Sequence, residues 1–244
     1  MESVFAEPPA GRVGIHFLGQ SGFVLVSDGG TRVAIDPYLT NTIPLHRVCP
    51  IVYGPEDLAV NHVLLSHDHS DHTDPETCMA VLRSRPVIFW GPASSMAVLR
   101  AAGAPPDRLH VLHRGETAQL GDVSLSAVHA EHTGDSLGFV LALSGRVLYH
   151  AGDSLESGEL YWLHDRGIEV VMAPFSGRWD EMTATQAANL AHSLGARVVI
   201  PMSYNMFTEG WADPAALVSA IAGIPGSSVT VRVMTVGEGW TYPE

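Results

Sequence analysis

The sequence predicts an α/β (α+β) chain folded as a four-layer αββα sandwich. Three observations carry that expectation. Short apolar strands alternate with helical patterns along the chain. The second half repeats the order of the first, β-rich at its start and with helices between strands towards its end. Hydrophobic residues make up 46 % of the 244 positions, enough for a sizeable core. Two sheets packed together with helices outside them satisfy all three. The length suits a single domain over residues 1–244, made of two pseudo-repeated halves. Residues 1–11 read as a flexible lead-in.

Residues 13–18 alternate and read as a strand, closed by the turn Gly19-Gln20-Ser21-Gly22. A second strand covers 23–27. Asp28-Gly29-Gly30 is a hairpin signal, and a third strand covers 31–35 up to Asp36-Pro37. Residues 40–55 lack periodicity and carry Pro44, Pro50 and Pro55; a loop that long is expected to wall a pocket. The apolar run at 62–66 reads as a buried strand. Asp74 then caps a helix over 75–85, with Pro75 at its first position, where the missing N–H is harmless. A strand at 87–90, a helix at 92–102 and strands at 109–112, 117–120 and 123–128 follow. Strands at 138–143 and 146–149 lead into His150-Ala-Gly-Asp153. A helix at 155–166, a strand at 168–173, a helix at 183–194, a strand at 197–201, a helix at 213–222 and a strand at 229–234 complete the pattern.

Composition excludes several function classes. The formal net charge is -13, from 13 basic and 26 acidic residues, and every one of the basic residues is arginine. The lack of lysine removes Schiff-base and lysine-base chemistry. The acidity argues against nucleic-acid binding, which needs a basic surface. Cys49 and Cys78 form no spaced motif and neither adjoins the histidine-rich stretch. Thiol catalysis is therefore not expected, and a reducing compartment is the simpler reading. Met1 to Arg12 has no apolar core of the signal-peptide kind, and no apolar run approaches the roughly 18 residues that span a membrane. The expectation is a cytoplasmic protein acting on a small molecule, without membrane or nucleic-acid partners; a homo-oligomer is compatible with it.

The chemistry concentrates between the strand at 62–66 and the helix at 75–85. There His67-x-His69-x-Asp71-His72 sets three imidazoles and a carboxylate within six residues. As a bare loop this is unfavourable, because the side chains crowd and protonated histidines repel. Around a divalent ion it is favourable, since imidazole nitrogen and carboxylate oxygen are the usual ligands of zinc, manganese and iron. Alternation in an extended segment points His67 and His69 the same way. Asp71 and His72, where the chain turns into the helix, can face a second ion, and paired ions are the usual hydrolytic arrangement. The competing reading is a polar surface connection in a chain with 13 histidines; the order of four specified residues weighs against it. Asp36, at a strand end before a proline, reads equally as a hydrogen-bond partner behind a metal-bound imidazole or as an ordinary turn residue.

With His132 further on and Gly152-Asp153 at a strand end, the chain resembles the metallo-β-lactamase fold superfamily. More narrowly it resembles the branch containing the L-ascorbate-6-phosphate lactonases. The narrower resemblance rests on Leu18-Gly-Gln-Ser-Gly22, Asp36-Pro-Tyr-Leu39, the run from Ser66 to Thr77, Leu148-Tyr-His-Ala-Gly-Asp-Ser154, Asp180-Glu-Met-Thr183, Val198-Val-Ile-Pro-Met-Ser-Tyr-Asn205 and Ala212-Asp-Pro214. It implies a sandwich of the metallo-β-lactamase type, one or two divalent ions (zinc or manganese) as cofactor, and a hydrolase. His67, His69 and His132 would hold the first ion, Asp71 and His72 would belong to the second, and Asp153 would bridge them. His132 is preferred to His129 because the family's third histidine follows a short step such as Ala130-Glu131-His132.

One position departs from the family. Its histidine in a Pro-x-His stretch is here Ser203, after Pro201. Three readings follow: the second ion is held weakly; Tyr204, Asn205 or Glu209 fills the gap; or the chain is a specialised or inactive descendant. Oxygen donors there would shift preference from zinc towards manganese.

The leading expectation is a metal-dependent hydrolase, in which a metal-activated water attacks a lactone, an ester or a phosphodiester. Asp71 is the expected catalytic residue, orienting that water or acting as its base. Arg47 and Arg178 are candidates for holding an anionic substrate, against the commoner role of a solvated surface arginine. The rival is a non-catalytic metal or ligand sensor. Ser203 favours it, and the otherwise intact ligand set opposes it. His16 reads as a packed histidine, His150 as a strand-end structural residue, and Trp179, Trp211 and Trp240 as core.

Overall fold

The computed structural model describes residues 4–244. The first half runs through β1 (Val13–Gly19), β2 (Gly22–Val26), β3 (Arg32–Ile35), β4 (His62–Leu64), α1 (Pro75–Ser84), β5 (Ile88–Gly91), α2 (Ala93–Ala101) and β6 (Leu109–Val111). The second begins with β7 (Thr117–Leu120), β8 (Val123–His129), β9 (Leu137–Leu143) and β10 (Arg146–His150). It continues with β11 (Val170–Pro174), α3 (Ala184–Ser193), β12 (Val198–Met202), α4 (Ala215–Ala222), β13 (Thr230–Val231) and β14 (Gly239–Tyr242).

The two sheets share one plan. Their strand orders are β14-β1-β2-β3-β4-β5-β6 and β13-β12-β11-β10-β9-β8-β7. In each, an antiparallel meander passes into a parallel run, β3 to β6 in one and β10 to β13 in the other. Side-chain alternation explains the layers. Phe23 and Leu25 of β2 and Val33 and Ile35 of β3 join the core between the sheets. Val24, Val26 and Ala34 face the other way, into a cluster with Cys78 and Val81 of α1 and Met96 and Leu99 of α2. Strands apolar on both faces must be covered on both. Hence α1 and α2 form one outer layer, while α3 packs on β11 and β12 and α4 on β13 to form the other. This is the αββα sandwich of the metallo-β-lactamase type that the pattern predicts. Asp74 caps α1 as expected, its carboxylate accepting from the amides of Glu76 and Thr77 at 3.2 Å each.

Several details differ from expectation. Residues 155–166 do not form an α-helix; Gly158–Arg166 is 3₁₀. Its two buried anchors, Leu160 and Leu163, are three apart, the period of a 3₁₀ helix. The last expected strand is cut to Thr230–Val231, and the chain then crosses to the other sheet, where Tyr242 of β14 pairs with Val13 of β1. Within the expected flexible lead-in, residues 1–3 lie outside the described residues. Phe5, however, is fully buried, its ring 5.0 Å from that of His16 and 5.4 Å from that of Tyr53. An apolar side chain that size anchors the segment. Two of the three tryptophans expected in the core depart from that expectation. Trp179 and Trp211 are 46 % and 64 % exposed, on loops at the sheet rim, whereas Trp240 packs, partly buried, against the core. No helix among the described residues is long and apolar enough to cross a membrane.

Replacing Phe5 with Ala is expected to lower the unfolding free energy by about 3 kcal/mol, read by urea titration. An unchanged midpoint would show that the segment contributes no packing.

Candidate metal centre

The side chains of interest all leave their strands at one edge of the sandwich. β3 ends at Asp36, β4 leads to Ser66 and His67, β8 to the turn holding His132, β10 to Asp153 and β12 to Ser203. The turn between β1 and β2 adds Gln20 and Ser21. The backbone here is strained. Gln20, Asp36, Trp179, Asp180, Ser203 and Asn205 all have φ between 44 and 59°, a left-handed conformation that residues other than glycine rarely adopt. Gly152, just before Asp153, has φ 60° and must remain glycine: an added Cβ would lie 3.0 Å from the Leu137 carbonyl and 3.2 Å from Ser66 Cβ.

Two groups of ligand-type atoms result. In the first, His67 Nε2 lies 3.0 Å from His69 Nδ1, which lies 3.4 Å from His132 Nε2. In the second, Asp153 Oδ2 lies 3.0 Å from His72 Nε2 and 4.0 Å from His67 Nε2. Asp71 flanks the second group, its Oδ2 3.8 Å from His72 Nε2. His129 stays outside both, its Nε2 3.0 Å from Glu131 Oε2.

This donor set fits a divalent ion. Ligand atoms about 2.1 Å from a tetrahedral ion stand about 3.4 Å from one another, close to the spacing of the three nitrogens. Burial, with the neighbouring His72, holds His67 well below the ordinary imidazole value. It is therefore neutral and has a lone pair to donate. The His72 tautomer is set from behind. Its Nδ1–H donates to Asp36 Oδ2 at 2.9 Å, and Asp36 is fixed by the Ser66 amide and hydroxyl at 2.7 and 2.6 Å. Nε2 is buried and faces Asp153 Oδ2 at 3.0 Å. That pair calls for a positive charge between its atoms, a proton or a metal ion. The proton affinity of His72 reports the same demand: burial would lower it, yet Asp153, Asp71 and Asp36 together hold it well above the ordinary value.

Further groups lie behind these; the sequence drew attention to Ser203 and His150 but gave no role to Gln20 or Glu181. The Gln20 amide donates to Asp71 Oδ2 at 2.8 Å and to Ser203 Oγ at 3.3 Å. Ser203, fully buried, stands 2.6 Å from Glu181 Oε1 and 3.3 Å from Asp153 Oδ1. Tyr204, Asn205 and Glu209 each face elsewhere. The Tyr204 ring packs on Phe175 at 4.9 Å, Asn205 Oδ1 accepts from the Ala212 amide at 2.9 Å, and Glu209 is exposed. The reason is backbone direction: past Ser203 the left-handed turn carries the chain away from the cluster. His150 Nε2–H donates to the Ser21 carbonyl at 2.8 Å, and its Nδ1 accepts from the Gly152 amide at 3.2 Å. It thereby shapes the Asp153 turn.

A cavity of about 220 Å³ opens onto the cluster. Its polar lining is His69, Asp71, Asp153 and Glu181; its apolar lining is Ile43, Leu45, Trp179 and Phe207. The loop at 40–55 thus walls a pocket. Neither candidate arginine lines it. Arg47 donates to the carbonyls of Thr40 and Cys49 at 2.7 and 2.9 Å and lies over the Tyr38 ring, so it braces that loop. Arg178 lies in an exposed turn.

Residues 14–203 match the sequence profile of the beta-lactamase superfamily domain. The chain belongs to the beta-lactamase superfamily. A UPF0173 metal-dependent hydrolase of Pyrobaculum arsenaticum is 30 % identical over 234 residues, covering 92 % of this chain and 97 % of that protein. Within the superfamily the chain therefore belongs with the UPF0173 metal-dependent hydrolases. A probable L-ascorbate-6-phosphate lactonase of Salmonella gallinarum is 26 % identical, covering 84 % of this chain and 73 % of that one. Among solved structures, the metallo hydrolase Igni18 of Ignicoccus hospitalis superposes with a TM-score of 0.78 at 25 % identity, covering 95 % of this chain and 98 % of that chain. Superfamily membership and fold are thus as the strand-end histidines and aspartates led one to expect.

His150 provides a pH test of the superfamily scaffold. Burial holds its imidazole below the ordinary value, so the folded state keeps it neutral while the unfolded chain takes up a proton below about pH 6.5. Its contribution is present above that pH and is lost as pH falls. His150→Asn is expected to be about 1–3 kcal/mol less stable than the native chain at pH 8, with the gap narrowing below about pH 6.5. A gap that widens in acid would contradict the neutral assignment.

Proposed function

We propose that the chain hydrolyses small neutral esters or lactones in a metal-dependent reaction. The cavity carries this reading: it places three carboxylates and an imidazole against four apolar side chains and lacks an arginine. His67, His69 and His132 hold one ion in this proposal. His72, Asp71 and Asp153 face a second, with Asp153 near both groups. Zinc or manganese bound there supplies a coordinated water of lowered pKa and a Lewis acid for the developing oxyanion.

The chain's own residues supply the rest. Asp71 Oδ2, oriented by the Gln20 amide and lining the cavity, accepts the proton of the attacking water. Asp36 keeps His72 in one tautomer. Ile43, Leu45, Trp179 and Phe207 exclude water and take up the apolar body of the substrate. No arginine lines the cavity to pair with a phosphate, which favours a neutral acyl substrate over a phosphorylated sugar or a phosphodiester. The strained turns around the cluster favour catalysis over passive binding, since such strain gathers where groups must be held in place.

Metal-loaded protein is expected to turn over a short-chain ester or a simple lactone with kcat/KM about 100-fold above that for a phosphorylated analogue. Preference for the phosphorylated compound would contradict the proposal. Asp71→Asn should lower kcat about 100- to 10,000-fold, and full turnover in that variant would remove Asp71 from the chemistry. Asp36→Asn should weaken metal binding about 10- to 100-fold in a chelator competition, whereas wild-type affinity would make Asp36 an ordinary turn residue.

A further inference from the structure

Glu181 is a buried carboxylate in the cavity wall to which the proposed reaction gives no role. It is 3 % exposed, and among the described residues it forms no ion pair with an arginine or histidine. Its Oε2 accepts from Ser176 Oγ at 2.7 Å and its Oε1 from Ser203 Oγ at 2.6 Å. Ser203 stands where the resemblance to the lactonase branch implies an imidazole, and a serine side chain is too short to reach as far. The Glu181 carboxylate meets the Ser203 hydroxyl there. It arrives on the turn before α3, where Trp179 and Asp180 have φ 51 and 59° and the Glu181 amide donates to the Arg178 carbonyl at 3.0 Å.

Two independent observations point the same way. Glu181 lines the same cavity as Asp71 and Asp153. Beside them the buried Nε2 of His72 faces Asp153 Oδ2 at 3.0 Å. Carboxylates gathered in a poorly solvated wall repel one another unless a cation sits among them.

We propose that Glu181 is a metal ligand, supplying at the second metal position the donor that Ser203 cannot. The proposal rests on the metal reading of the preceding section. The donor set becomes His72, Asp71, Asp153 and Glu181, one nitrogen against three carboxylates. Ser203 is the spacer whose hydroxyl steadies the glutamate. Such a set suits manganese better than zinc, because hard oxygen donors suit the harder ion and nitrogen-rich sites suit zinc. A fully protonated Glu181 that only hydrogen-bonds to Ser203 is the competing possibility.

The test counts ions rather than turnover. Protein stripped by chelation is reloaded with Mn²⁺ or Zn²⁺, and ions per chain and affinities are measured by mass spectrometry of the metals and by calorimetry. The native chain is expected to take two Mn²⁺ ions. Glu181→Gln, which keeps the size and hydrogen bonding of the side chain, should retain the first and bind the second at least about tenfold more weakly. Adding Ser203→His to Glu181→Gln should restore the second ion and shift the preference to Zn²⁺; the first ion retained by Glu181→Gln shows that the single variant folds. Two Mn²⁺ bound to Glu181→Gln with native affinity would overturn the proposal, as would a single ion on the native chain, and both results leave the histidine site standing. No ion on the native chain would overturn the metal reading itself and this proposal with it.

Discussion

The Nε2 atom of His72 and the Oδ2 atom of Asp153 face each other at 3.0 Å, both buried. That contact is unfavourable unless something positive occupies the space beside it, and the surroundings act to maintain it. Asp36 removes the one freedom His72 would have, that of turning its other nitrogen to the carboxylate. Ser66 in turn locks Asp36. Gly152 lets the β10 turn approach Ser66 closely enough to present Asp153. Each residue in this chain of contacts has its meaning through the next.

The sandwich makes such an arrangement affordable. The central strands of both sheets are buried on both faces, so their positions are fixed by core packing, and their ends are free to carry polar groups. Parallel strands of both sheets end at the same edge, which brings turns distant in sequence within a few ångströms. The left-handed φ values at Gln20, Asp36 and Ser203 are tolerated because rigid strands enter each turn.

What was legible in the sequence follows from the range of each interaction. The His67 loop and the Asp74 cap are local, so spacing alone exposes their chemistry. His132 and Asp153 lie far from that loop, and only the likeness to a family connects them to it. Ser203 stood out only against the family pattern, and Glu181 and Gln20 reach it only through the fold, Gln20 and Ser203 being 183 residues apart. Trp179 shows the opposite failure. Its composition suggests core, yet a strained rim turn holds it 46 % exposed beside the cavity. Arg47 drew notice because it lies in a long loop expected to wall a pocket; in the fold it donates to two backbone carbonyls and lies over the Tyr38 ring. Strand β14 was missed because its partner β1 lies at the opposite end of the chain.

The central claim is that the strand-end cluster is a metal site. The most direct measurement is diffraction from crystals of the native protein, recorded on both sides of the zinc and manganese absorption edges. The account predicts an anomalous peak among His67, His69 and His132. A map with no peak at these histidines, or with metal bound only elsewhere on the chain, would contradict it.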